Sequence, residues 1–244
     1  MDDITGGCNN EEWLAHFKSY INNLFKITDL GELSPLLGLE INQTGEYTTI
    51  SQQKYIKELL HRFEMTESST QDLPLNPTFK VDPTTVTDSE YAEVKDYPYK
   101  NLLGALLWIA RCSRPDISSS VGILSKYCMK YSLREWNALV GILKYLKGTI
   151  NLCIRYSKNP YTTPNQLSCY ADSSFADDKS NSRSTSGYII FMNDGPVSWY
   201  SKQQEAVTHS TTEADYMAAG TGGKELIYCE EVLACFIIFR KDSI

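Results

Sequence analysis

Two hydrophobic periods alternate along the chain, and the points where they change divide it. Trp13, Leu14, Phe17, Ile21, Leu24 and Phe25 recur at helical spacing over residues 11–26, with Glu11, Glu12, Lys18 and Asn22 on the other side. That spacing predicts an amphipathic helix whose apolar face packs on something. In LLGLEINQTGEYTTIS two short β-like runs flank Thr44-Gly45, which predicts a hairpin with Gly45 supplying a positive φ. Ser51 is then the expected N-cap of SQQKYIKELLHRF, where Tyr55, Ile56, Leu59, Leu60 and Phe63 form a second apolar stripe.

From Glu64 to Pro98 the sequence turns to Thr, Ser, Asp and Pro, with Pro74, Pro77, Pro83 and Pro98 interrupting any period. This predicts a linker. Residues 99–148 read as helical throughout. The Arg114-Pro115-Asp116 step ends one helix and opens the next, because proline suits a first turn and Asp116 the positive end of the helix dipole. In REWNALVGILKYLKGT the buried face is Trp136, Leu139, Val140, Leu143 and Leu146, with Gly148 as the stop.

After Asn151 the period becomes two. NLCIRYS, LSCYADS, SGYIIFMN and PVSWYSK read as strands, separated by turns such as Asn159-Pro160 and Asn193-Asp194-Gly195-Pro196. A helix from about Ser210 to Cys235 closes the pattern, with Leu226, Cys229, Leu233 and Phe236 as its core face. Its weak point is Gly220-Thr221-Gly222-Gly223, since each interior glycine costs about 1 kcal/mol relative to alanine.

Composition adds boundaries to this picture. The 244 residues suffice for two small folded units. No apolar run is long enough to span a bilayer and MDDITGGCNN lacks the shape of a signal peptide, so the expectation is an intracellular protein, cytoplasmic or nuclear, with no membrane partner. Seven cysteines without a C-x-x-C pair and three scattered histidines predict reduced thiols rather than a zinc cluster or a disulfide framework.

The net charge of −7 is uneven. Residues 98–160 hold 10 Lys+Arg against 2 Asp+Glu, between two acidic stretches. Such a block is where a nucleic-acid backbone could be held, and Lys126, Lys130, Lys144 and Lys147 are the candidates, although the same lysines could simply solvate helix faces. Trp108, Trp136, Trp199 and Tyr200 could stack on bases, but their positions within helices and strands favour core packing.

The segments FKITDLGELSPLLGLEI, ISQQKYIKELLHRF, LLGALLWIARCSRPDI, LKYLKGT, YADSSFADD, SRSTSGYIIF, GPVSWYSKQQ and STTEADYMA occur in this order. Together they resemble the C-terminal reverse transcriptase and ribonuclease H region of the Pol polyprotein of copia-type long-terminal-repeat retrotransposons. The resemblance implies an α+β fold: a reverse transcriptase remnant over 1–65, a linker over 66–98, a helical connection over 99–150, and over 151–244 a truncated ribonuclease-H-like antiparallel sheet with one helix. It also implies a role in RNA-directed DNA synthesis and in hydrolysis of RNA in RNA/DNA hybrids.

Carried over by residue, the resemblance makes Asp172 and Glu213 metal-binding carboxylates for Mg²⁺, an ion that takes oxygen ligands and keeps several waters. Asp242, after an apolar run, is the weak candidate for a third acidic position, because no Gly or Pro turn separates it from the helix. Asp177 and Asp178 read as turn residues, and Asp215 as a solvated helix residue facing away. Lys202, in the Lys202-Gln203-Gln204 triplet, is the best single phosphate contact. Asp2 and Asp3 match the tail of the polymerase's paired-aspartate turn. Both sites read as incomplete, so the expectation is a catalytically incompetent chain, with a nucleic-acid-binding remnant as the alternative and another Pol chain as a partner that could complete the fold.

Overall fold

The structure is a computed structural model that describes residues 6, 10–31, 35–79, 81–158, 163 and 165–241. It is α+β, with seven α-helices and two antiparallel sheets among the described residues. The first helix, α1 (Glu11–Leu24), forms where the helical spacing demands. Asn10 caps it, its side chain accepting the Trp13 N–H at 3.0 Å. No residue of α1 is buried, so the packing that its apolar stripe calls for is not met within the described chain.

The first sheet runs β1 (Pro35–Leu36), β2 (Leu39–Gln43), β3 (Tyr47–Ser51) and β4 (Ile154–Ser157), in that order. The β2–β3 hairpin is the expected one, but Gly45 is not in the left-handed region. Thr44 closes the turn instead, its hydroxyl accepting the Glu46 and Tyr47 N–H groups at 3.3 and 3.1 Å. Left-handed residues stand one turn earlier, at Leu37 (φ 51) and Gly38 (φ 77) between β1 and β2. Strand β4 read as part of the C-terminal unit, yet it pairs with β3, setting Ile154 opposite Ile50 and burying it.

Helix α2 (Gln53–Arg62) buries Ile56, Leu59 and Leu60. Ser51 belongs to β3 and Gln52 occupies the cap position without a side-chain cap bond. The Gln52 amide turns inward, where its oxygen accepts the Ser113 hydroxyl at 2.7 Å. Helix α2 lies against α6 (Leu133–Gly148), which packs with α4 (Tyr99–Cys112) and α5 (Ser118–Ser125), and the core of the molecule lies among these helices: Leu102, Leu106, Ile109, Val121, Leu124, Leu139, Ile142 and Leu146 are fully buried.

The stretch over 66–98 is docked on this helical layer. Thr87 and Glu90 form a capping box for α3 (Asp88–Val94), and Val81, Val86 and Val94 join the common core. Its prolines are punctuation: Pro83 opens a 3-10 turn and Pro98 caps α4. Lys147 Nζ donates to the Ser68 carbonyl at 2.6 Å, and Gly141 and Gly148 lie close beneath Gln71 and Thr70.

The second sheet is a meander, β5 (Leu167–Ser174), β6 (Thr185–Met192) and β7 (Gly195–Gln203), with α7 (Thr211–Lys241) across one face. Ala214, Ala218 and Gly222, at helical spacing, are buried and let α7 approach the strands closely. On the opposite face Trp199 Nε1 donates to the Ala110 carbonyl of α4 at 2.7 Å, tying the sheet to the helical layer. The β6–β7 turn locks onto β4, for Ser157 N donates to Asn193 O at 2.8 Å and Gly195 fits against Arg155 and Tyr156, where a Cβ would stand 2.5 Å from the Arg155 carbonyl.

Candidate carboxylate site

Strand alternation decides which sheet face each carboxylate meets. Helix α7 lies on the face of Cys169, Ala171 and Ser173: a Cβ on Gly222 would stand 3.0 Å from Cys169 Sγ and 3.5 Å from Ala171 Cβ, and the Ser173 hydroxyl donates to Asp215 Oδ1 at 2.6 Å. Asp172 therefore projects from the other face. It is exposed there beside Tyr170 and Ser174, along a cleft of ≈ 370 Å³ whose far wall is Pro115, Ser118 and Ser119.

Glu213 sits in the first turn of α7 and closes that turn. Its carboxylate accepts the His209 N–H at 2.7 Å while the Ser210 hydroxyl oxygen accepts the Glu213 N–H at 3.1 Å, a reciprocal cap at the positive end of the helix. Asp215, expected to face away, is the α7 carboxylate that reaches β5. The signal was in the sequence: Asp215 shares the helical phase of Ala218 and Gly222, three and seven residues on, and those two face the sheet.

The acidic turn after β5 has structural roles. Both Asp177 oxygens accept the Thr185 hydroxyl at 2.9 Å. Asp178 is buried, and burial alone would raise its carboxyl; hydrogen bonds from Ser180, Lys126 and Gln203 outweigh that and hold it at about 2. The Lys126 ammonium, 3.0 Å away, is thereby enclosed. Gln203 Nε2 donates to the same Asp178 oxygen at 2.7 Å, and Lys179 N donates to Val81 O at 3.2 Å. This turn fastens the second sheet to the helical layer.

The other basic candidates are similarly engaged. Lys130 pairs with Asp88 at 2.7 Å and Lys147 holds Ser68 O. Arg114, buried, donates to both Asp116 oxygens and to Thr149. Arg134 bonds to Glu135 and lies over the Phe79 ring, while Lys158 donates to Thr44 O. Asp116 thus binds Arg114 and the Tyr145 hydroxyl rather than serving a helix dipole alone. Lys144 is half-buried on α6; Lys202 is exposed on β7, opposite Ser186 and so on the α7 face with Ser173.

Asp2, Asp3 and Asp242 lie outside the described residues. Among the described residues no group of three or more His, Cys, Asp or Glu side chains gathers. A Mg²⁺ ion wants near-octahedral oxygen ligands at about 2.0–2.1 Å. Asp172 and Glu213 stand on opposite sides of a sheet, and Glu213 is already engaged as a cap, so this pair does not fit a single ion between them. No helix among the described residues is long and apolar enough to cross a membrane.

Residues 1–77 match the family "Reverse transcriptase (RNA-dependent DNA polymerase)". The chain is 32% identical over its whole length to the retrovirus-related Pol polyprotein from transposon TNT 1-94 of Nicotiana tabacum, covering 18% of that protein. It is 32% identical over 93% of its length to the retrovirus-related Pol polyprotein from transposon RE1 of Arabidopsis thaliana, covering 15% of it. This chain belongs to the copia-type retrotransposon Pol polyproteins. It spans less than a fifth of the length of those two Pol relatives. An uncharacterized mitochondrial protein of Arabidopsis thaliana, AtMg00810, is 29% identical over 93% of the chain, which covers 91% of that protein. No solved structure matches this Pol chain. As a Pol segment it carries reverse transcriptase sequence over the stretch that includes α1, the first hairpin and α2.

Proposed function

We propose that this Pol segment is a non-hydrolytic piece of the replication machinery. Residues 1–65 are the C-terminal part of a reverse transcriptase domain, 66–98 a link docked on the helices, 99–150 a helical connection and 151–244 a ribonuclease-H-like unit, apart from β4, which pairs with β3 of the first sheet. The machinery's role is RNA-directed DNA synthesis and removal of RNA from RNA/DNA hybrids. Unaided, this chain hydrolyses nothing, because two-metal hydrolysis needs carboxylates from several elements converging on one ion pair. The observation that carries the reading is the split of Asp172 and Glu213 between the two sides of the second sheet. A displacement of about 1 Å can cost a hundredfold in rate, and a carboxylate on the wrong face is further off than that.

The rival reading, a nucleic-acid binder using Lys126, Lys130, Lys144 and Lys147, has less support, since three of these four lysines hold partners within the chain. Lys202 remains the exposed candidate phosphate contact. Another Pol chain is the partner that would supply further carboxylates.

The test is a single-turnover incubation of the chain with a labelled RNA/DNA hybrid, in Mg²⁺ and in Mn²⁺. No cleavage above that of heat-inactivated protein is expected. Cleavage that disappears in Asp172→Asn would overturn the reading.

A further inference from the structure

The second sheet meets the rest of the chain differently at its two ends. At the start of β7, Gly195 is set against the Arg155 carbonyl and the Tyr156 ring of β4, Ser157 N donates to Asn193 O at 2.8 Å, and the Tyr156 hydroxyl donates to Pro196 O at 2.7 Å. Backbone carbonyls and close packing hold this seam. At the far end of β7, about 27 Å away at about 3.4 Å per residue, the hold is polar. Lys126 of α5, 17% exposed, reaches Asp178, 3% exposed, at 3.0 Å; Gln203 Nε2 donates to the same carboxylate, and Lys179 N donates to Val81 O at 3.2 Å.

Between the two ends Trp199 Nε1 donates to Ala110 O, Gly122 of α5 passes close to Ser201 O, and the Asp172 cleft lies beside them. Two units joined by polar links around a cleft are free to move on one another in a way that a shared apolar core forbids.

We propose that this junction is a hinged gate: the second sheet and α7 swing as a rigid unit about the β4 seam, and the Lys126–Asp178 pair is the latch that keeps the Asp172 face closed against Pro115, Ser118 and Ser119. Opening turns a slot of ≈ 370 Å³ into a face that carboxylates of another Pol chain can reach. That role for the cleft rests on the function proposed above, whereas the motion is read without metal or hybrid, so the two fail separately. The latch has a direction. A carboxylate buried without its cation is strongly destabilised, and Asp178 regains water when the sheet swings out. Taking the charge from both partners removes that drive.

Hydrogen exchange of individual N–H groups, followed by NMR of the full chain at neutral pH, tests this. In Lys126→Met the Lys179 amide and the Trp199 indole N–H are expected to exchange about tenfold or more faster than in the unsubstituted chain. The Ser157 amide at the seam and the ladder amides of β5, β6 and β7 should keep their rates. Lys126→Met combined with Asp178→Asn should return both fast groups towards their original rates. Unchanged exchange at Lys179 in Lys126→Met overturns the proposal, since the latch then holds nothing shut. Acceleration of Ser157 along with Lys179 overturns it too, because the seam is then no pivot. So does loss of protection throughout the sheet, which is unfolding in place of a swing, or a doubly neutral variant that stays as fast as Lys126→Met.

Discussion

The helical layer and the second sheet are held in different ways. Helices α2, α4, α5 and α6 share a contiguous core of Leu, Ile, Val and Tyr side chains with almost no exposed surface. The unit of β5, β6, β7 and α7 contributes only Ile190, Ala214 and Ala218 as buried apolar residues among those described. Its cohesion comes from polar links: Ser184 with Thr208, Ser198 with Glu225, and the Gln204 amide, which donates to Ser186 Oγ and Ala214 O. Two further links, Trp199 to Ala110 and Asp178 to Lys126, lean it on the helical layer. Apolar burial scales with area and is indifferent to direction, while each polar link needs a particular partner in place. The second sheet therefore depends on the helical layer, and the helical layer far less on the sheet.

Substitutions in the two regions should act differently. The largest effect should come from Leu106→Ala, which opens a cavity in the fully buried core and should cost about 2–5 kcal/mol, visible in denaturant melts as loss of the whole transition at a lower midpoint. Gly195→Val should come next, at about 2–3 kcal/mol, because the new side chain meets the Arg155 carbonyl and the Tyr156 ring and must pry β4 from the β6–β7 turn. Its loss should appear first in amide exchange of the second sheet.

Acid should act on the same unit. The folded Asp178 carboxyl is depressed below its ordinary value of 3.8 to about 2, so its contribution is complete above about pH 4 and is lost as the pH falls through about 2. The expected outcome is that amide exchange in the second sheet accelerates across that window before the helical layer yields, by about 2 kcal/mol, and that Asp178→Asn removes this acid step. The smallest effects separate neighbouring glycines on α7. Gly220→Ala and Gly223→Ala meet open space and should each stabilise the chain by about 1 kcal/mol, while Gly222→Ala, within 3.0–3.2 Å of Cys169 and Tyr188, should destabilise it. Thermal melts of the three variants would show the sign.

Much of the element order was legible, because it rests on period. The stripes at Ile56, Leu59, Leu60 and at Leu139, Leu143, Leu146 gave α2 and α6, and the change at Asn151 gave the strands. What period cannot show is partner choice. Ile154 reads as strand wherever it goes, and only Ile50 opposite it puts β4 in the first sheet. The prolines of 66–98 looked like a linker because their caps and the three buried valines are too sparse to make a stripe. The basic block was visible as charge, but not that Asp88 and Asp178, far away in sequence, would take up Lys130 and Lys126.

For the candidate site, the family resemblance marked Asp172 and Glu213. Their side chains' directions depend on strand alternation and on a capping bond. The phase of Asp215 relative to Gly222 was the legible clue that it reaches the sheet.

On the function proposed above, Asp172 and Glu213 do not jointly hold a divalent ion. Titration of Mn²⁺ into the purified chain, followed by electron paramagnetic resonance, tests it directly. The expected result is only weak, non-saturating uptake that is the same in Asp172→Asn and Glu213→Gln. A saturable, stoichiometric site that both substitutions abolish while the fold survives would contradict it.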